Sequence, residues 1–162
     1  MIILICLISF NYLPSHSRVW VFQSSKVFSD FQIDDLKKKI ETSEAPNAIG
    51  PYSQAIIVGD NIFLSGQIPL DPKTMKLVEG EENQIRRVFD NVQAVCKAAG
   101  CGLNDIVKLN ISLQDLSLFT KVNEIMLDYF EEPYPARAAL QVARLPLESL
   151  IEVEAIIIKE KS

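Results

Sequence analysis

Arg137 and Glu152 are the two residues whose types and settings are best suited to chemistry. Arg137 stands among Pro135, Ala136, Ala138, Ala139 and Leu140, small or apolar neighbours that leave a guanidinium prominent. Its planar fork suits bidentate capture of a carboxylate or phosphate. Glu152 lies in Leu150-Ile151-Glu152-Val153-Glu154-Ala155, where apolar residues alternate with acids. Held near Arg137 it would hold or activate a water, whereas the alternative for the pair is a plain cross-strand salt bridge. Tyr52, in the proline- and glycine-bounded run Ala45–Gln54, offers a phenol and a flat apolar face to a small molecule, or caps the edge of the core. Ser65 and Gly66 end a strand where a backbone can come close to a ligand or to a neighbouring strand. Asn123 orients a ligand or satisfies a backbone group.

Histidine is excluded from this inventory. The chain has one, His16, in an N-terminal stretch outside the expected domain, so imidazole catalysis and H-E-x-x-H metal sites drop out. Ser65 therefore has no base to make it a nucleophile. Cys96 and Cys101 are too few for a disulfide framework or a four-ligand zinc site, and Cys96 reads as helix packing. Neither a metal nor a cofactor is expected.

The elements that must position these residues follow from periodicity. Ile85, Val88, Phe89, Val92, Cys96 and Ala99 recur at helical spacing, with acids Glu79, Glu81 and Glu82 at the start and Gly100 as the stop. A second helix is predicted over Ser117–Phe130, with Phe119, Val122, Met126 and Tyr129 on one stripe and Pro133 and Pro135 beyond it. Gln54–Val58 and Ile62–Ile68 flank Gly59-Asp60-Asn61 as a hairpin. Strands are also expected at Ile106–Leu113, Ala136–Val142 and Ile151–Ile158, with a short first one near Ile40–Ser43. The order βββαβαββ gives an α+β domain with both helices on one face of a mixed sheet. Val107, Leu109, Ile111 and Leu113 are expected on one side of their strand. The uncovered face mixes polar and apolar residues, which points to burial against other subunits.

Length and composition fit one such domain: 162 residues, 48% hydrophobic and 23% charged. From residue 40 to the end there are 11 Lys and Arg against 18 Asp and Glu, a net charge of −7 that repels a phosphate backbone. Residues 1–39 read as a leader. An apolar run over residues 1–10 is too short to span a bilayer and resembles a signal core. An acid-free stretch with Arg18, Lys26 and several serines follows, as in transit peptides. Together they suggest delivery to a plastid-type organelle, with a mitochondrial or cytoplasmic destination as the alternative and no membrane association once the leader is gone.

Six blocks carry a resemblance. Ala45-Pro-x-Ala-Ile-Gly-Pro-Tyr-Ser-Gln-Ala55, Ser65-Gly-Gln-Ile-Pro69, Asn91 with Ala98-Ala-Gly100, Val122-Asn123, Pro135-Ala-Arg-Ala-Ala-Leu-Gln-Val-Ala-Arg-Leu-Pro146 and Ile151-Glu-Val-Glu-Ala155 fall in order over residues 40–160. They resemble the signature of the reactive intermediate deaminase family (Rid, also called YjgF or L-PSP). The resemblance implies a chorismate-mutase-like fold in a homotrimer with ligand clefts between subunits. It implies hydrolysis of 2-imino acids such as 2-iminobutanoate and 2-iminopropanoate to 2-oxo acids and ammonia. By position, Arg137 would bind the substrate carboxylate and Glu152 would hold the attacking water and handle protons. Tyr52, Ser65, Gly66, Asn123 and the backbone at Ala139 would complete the pocket; some relatives carry Cys where Ala139 stands. RNA cleavage, attached to an older family name, and a non-catalytic trimer that binds small carboxylates or acts as a chaperone are the alternatives.

Overall fold

A computed structural model describes residues 37–159. His16 and the leader ahead of Lys37 lie outside the described residues. The elements run β1 Lys37–Ile40, β2 Ala55–Val58, β3 Asn61–Gln67, α1 Glu81–Ala98, β4 Ile106–Leu113, α2 Phe119–Met126, β5 Ala136–Gln141 and β6 Ile151–Ile158, with single 3-10 turns before β4, α2 and β6. This is the expected order. The six strands form one mixed sheet in the order β1-β2-β3-β6-β4-β5. All pairings are antiparallel except β4 with β5.

Local chemistry explains the elements. Gly59, at φ 60, takes the first of two loop positions between β2 and β3, where a tight hairpin needs positive φ. Helix α1 opens on Glu81 and Glu82, which complement the positive end of its dipole. It closes in a Schellman motif: the Gly100 and Cys101 amides donate to the Lys97 and Cys96 carbonyls at 3.0 and 2.9 Å, and Gly100 has φ 75. Its stripe of Ile85, Val88, Phe89, Val92 and Cys96 is fully buried. That burial pushes the Cys96 thiol up to about 12, which makes it an inert packing group. Leu109, Ile111, Leu113, Ile151, Val153, Ala155 and Ile157 meet α1 and α2 in one core.

The bounds of β1 and α2 and the facing at the start of β4 differ from the sequence expectation, while the ends of the other strands lie within a residue of it. β1 starts at Lys37 rather than Ile40, so Lys37–Lys39, counted with the leader, are residues of the outer strand, where lysines discourage edge-to-edge pairing. Helix α2 is shorter than Ser117–Phe130: the Asp115 carboxylate accepts from the Ser117 amide at 2.8 Å and starts a 3-10 turn, and the α-helix proper begins at Phe119. In β4 a bulge between Ile106 and Lys108 buries Ile106 and turns Val107 out to 42% exposure, opposite to the expected alternation.

Candidate active site

Arg137 sits on β5, an edge strand whose partner on its inner side is β4. The parallel register sets Arg137 beside Leu109 and Ala139 beside Ile111, so both face the helix layer. There the Arg137 Nη1 donates to the Asn123 Oδ1 at 2.6 Å and lies 3.1 Å from the Met126 Sδ. The guanidinium carbon stands 4.9 Å from the centroid of the Phe119 ring. No ion pair of Arg137 occurs among the described residues. A cavity of about 310 Å³ opens here, lined by Asn123, Met126, Leu127, Tyr134, Pro135 and Arg137.

Glu152 belongs to a second concavity, of about 450 Å³, lined by Ile49, Tyr52, Ser65, Gly66, Ile68, Pro146, Glu152 and Glu154. The loop over Ala45–Gln54 that forms one wall is fastened by the buried Gln54. Its Oε1 accepts from the Thr42 amide at 2.7 Å, and its Nε2 reaches the carbonyls of Pro46, Thr42 and Ala45 at 2.8, 3.0 and 3.3 Å. On that wall Tyr52 is 49% exposed, a rim residue instead of a cap on the core. The opposite wall is the irregularity between Leu64 and Gln67, where β3 leaves its register with β6. Ser65 there donates its hydroxyl to the Ser53 carbonyl at 2.7 Å and ties the two walls together.

Gly66 is the contact that sets Glu152. A Cβ built on Gly66 would fall 1.9 Å from the Glu152 Oε1 and 2.8 Å from its Cδ. The carboxylate thus rests against the bare Gly66 backbone, at a position no other residue type could occupy without displacing it. Half-burial raises the Glu152 carboxyl above its ordinary range, and the Glu154 charge two residues along adds to the rise. Such a carboxyl exchanges protons closer to neutral pH than a free one.

The structure does not bring Arg137 and Glu152 together within one chain. Glu152 pairs with Ser112, and Ser112 with Leu140, so Glu152 points away from the helices while Arg137 points toward them. Strand β4 also separates their strands, which removes the cross-strand salt bridge. Tyr52, Ser65 and Gly66 gather with Glu152; Asn123 gathers with Arg137, where it accepts a hydrogen bond from the guanidinium rather than from a backbone group. Ala139 shares the Arg137 face. Sequence reasoning missed Phe119 and Met126 as neighbours of Arg137, because both read as core; their spacing with Asn123, at i, i+4 and i+7, marks one helix face. It also gave no role to Asn91, which is fully buried and donates to the Ile68 and Leu70 carbonyls at 3.1 and 3.0 Å, steadying the segment after Gly66.

Comparisons with known proteins bear on the family and the fold. The family model described as Endoribonuclease L-PSP matches residues 42–159. The human 2-iminobutanoate/2-iminopropanoate deaminase is 45% identical over 125 residues, 76% of this chain and 91% of its own. Among solved structures, RidA from the Antarctic bacterium Psychrobacter is 50% identical with a TM-score of 0.73, over 75% of this chain and 98% of that one. TdcF of Escherichia coli with bound serine is 41% identical with a TM-score of 0.73, over 76% and 99%. With the signature blocks, the mixed six-stranded sheet and these matches in agreement, the chain belongs to the Rid (YjgF, L-PSP) family.

Proposed function

We propose that this protein hydrolyses 2-imino acids to 2-oxo acids and ammonia in a homotrimer, each site joining Arg137 of one subunit to Glu152 of the next. The observation that carries this reading is the division of the site: two complementary concavities on opposite faces of one sheet, one with an arginine that has no acidic partner among the described residues, the other with a raised carboxyl. Each half is chemically incomplete, and a neighbouring copy supplies the other. The sheet face opposite the helices carries exposed Phe63, Leu140 and Ile158, apolar surface that assembly would cover. The name of the human relative supports the substrate class, and the serine bound to TdcF has the carboxylate and α-nitrogen of an imino acid's skeleton.

The chemistry asks little beyond this. Arg137 holds the carboxylate and so fixes the C=N carbon. The imine, protonated on nitrogen, is attacked by a water on Glu152; the C–O bond forms as the C=N π pair moves to nitrogen, and the carboxylate takes the water's proton. Glu152 then returns that proton to the amino nitrogen. The C–N bond breaks, ammonia leaves, and the hydroxyl closes to a carbonyl as its proton passes to the Glu152 carboxylate. Arg137→Ala is expected to lose binding and turnover together, and Glu152→Ala mainly turnover, in 2-oxobutanoate formation from imine generated by a threonine dehydratase. Wild-type-like hydrolysis in both variants would refute the assignment.

The family description favours RNA cleavage as a second reading. The net charge of −7 over residues 40–162 and the lack of histidine there weigh against it. RNA cleavage by the purified protein that vanished in Arg137→Ala would support it.

A further inference from the structure

We infer that Phe119 is a positioning residue for Arg137: with Asn123 and Met126 it forms a three-point clamp that engages Nη1 and the guanidinium face, leaving the Nε–Nη2 edge as the carboxylate receptor. The inference rests on the proposed reading of Arg137 as the substrate anchor and adds how that anchor is aimed.

Phe119, Asn123 and Met126 follow one another down a single face of α2 at i, i+4 and i+7, and Arg137 lies across them from β5. A guanidinium has five N–H donors in a rigid plane, and a carboxylate pairs with it along one edge by two parallel bonds. Nη1 is already committed to the Asn123 Oδ1 at 2.6 Å, with the Met126 sulfur at 3.1 Å. The edges that use Nη1 are thereby impaired. The Nε–Nη2 edge has no hydrogen-bond partner or ion pair among the described residues and remains for the ligand.

Both of these contacts fall on Nη1 and still let the plane tilt about that atom. The Phe119 ring, 4.9 Å from the guanidinium carbon, removes much of that freedom by cation–π attraction to one face. Phe119 itself is partly buried and packs against the core. A preset fork loses less side-chain entropy on binding than a free one. Asn123 acts through Arg137 in the same way.

The test is titration of the assembled full chain with 2-oxobutanoate, an unreactive carboxylate, alongside steady-state imine hydrolysis. Phe119→Leu should weaken 2-oxobutanoate binding and raise KM by about tenfold, within the range of a partly desolvated cation–π contact, with kcat within about twofold of wild type. Phe119→Tyr, which keeps the ring face, should restore both. Binding and KM within twofold of wild type in a folded Phe119→Leu assembly would overturn the clamp, as would failure of Phe119→Tyr to restore them or a wild type that binds no 2-oxobutanoate. Should Phe119→Leu not fold, Asn123→Ala reads the same loss, and unchanged binding there is equally fatal. Phe119-dependent carboxylate binding without imine hydrolysis would sink the proposed reaction and leave the clamp standing; hydrolysis indifferent to Phe119 would do the reverse.

Discussion

Gly66→Ala separates the position of the Glu152 carboxylate from its presence. The added Cβ would stand 1.9 Å from the Glu152 Oε1, so reaching ordinary contact at 3.4 Å moves that oxygen by about 1.5 Å. The atom in the way is the end of a flexible side chain, and rotation toward the cavity relieves the clash. The folding cost is that of a side chain forced off its preferred rotamer, about 1 kcal/mol. If Glu152 handles the attacking water as proposed, the catalytic cost is larger, because displacement of a reacting group by about 1 Å lowers rates roughly a hundredfold. The expected result is kcat down by about two orders of magnitude with the melting temperature lowered by only a few degrees. Dehydratase-coupled imine hydrolysis gives the first quantity and thermal unfolding the second. Combining Gly66→Ala with Glu152→Ala should cost little beyond Glu152→Ala alone, since both act on one carboxylate. Turnover near wild type in folded Gly66→Ala would refute the claim that this contact sets the catalytic group.

Glu152 gives a pH dependence with a defined sign. Its folded pKa is raised above the ordinary 4.5, first by burial and then by Glu154, so the native state holds a proton that the unfolded chain has released. Stability is therefore lost as pH rises through that window and the penalty is full above it. Glu152→Gln should melt higher than wild type at neutral pH, with the gap closing below about pH 4; an unchanged gap would contradict the raised carboxyl. Wild-type turnover should fall as acid protonates Glu152 below that raised value, measured as kcat against pH. Leu147 and Glu148 occupy consecutive left-handed positions at φ 55 and 57 without being glycine. Glu148→Gly should relieve about 1 kcal/mol of backbone strain and raise the melting temperature by about 3 °C, and a lower melting temperature would contradict the strain.

Much of the fold was legible because the strong signals are local. The α1 stripe, its Gly100 stop and the Gly59 turn each act within a few residues, and Ile151, Val153, Ala155 and Ile157 declare the buried face of β6 outright. The facing of Glu152 follows from that alternation. The facing of Arg137 does not: Ala136, Ala138 and Leu140 are as apolar as Ala139, so β5 carries no usable period, and only its register with β4 assigns the side. Hence the sequence supports both a salt bridge and a composite site, and the sheet order excludes the first. The bulge that turns Val107 outward and the irregularity that places Gly66 beneath Glu152 arise from cross-strand register, which a linear pattern does not encode. Phe119 and Met126 were hidden because a side chain that packs on the core and also cradles an arginine looks apolar in either role.

Subunit complementation tests the division of the site most directly. Arg137→Ala and Glu152→Ala chains, each inactive alone, are unfolded together in equal amounts and refolded. If every site takes Arg137 from one subunit and Glu152 from its neighbour, random assembly leaves both wild-type groups in about one quarter of the sites, since each of the two contributing subunits is the right one half of the time. Recovery of about a quarter of wild-type imine hydrolysis per site is the predicted result. A mixture as inactive as its two components, with mixed assemblies present by native mass spectrometry, would contradict the composite site.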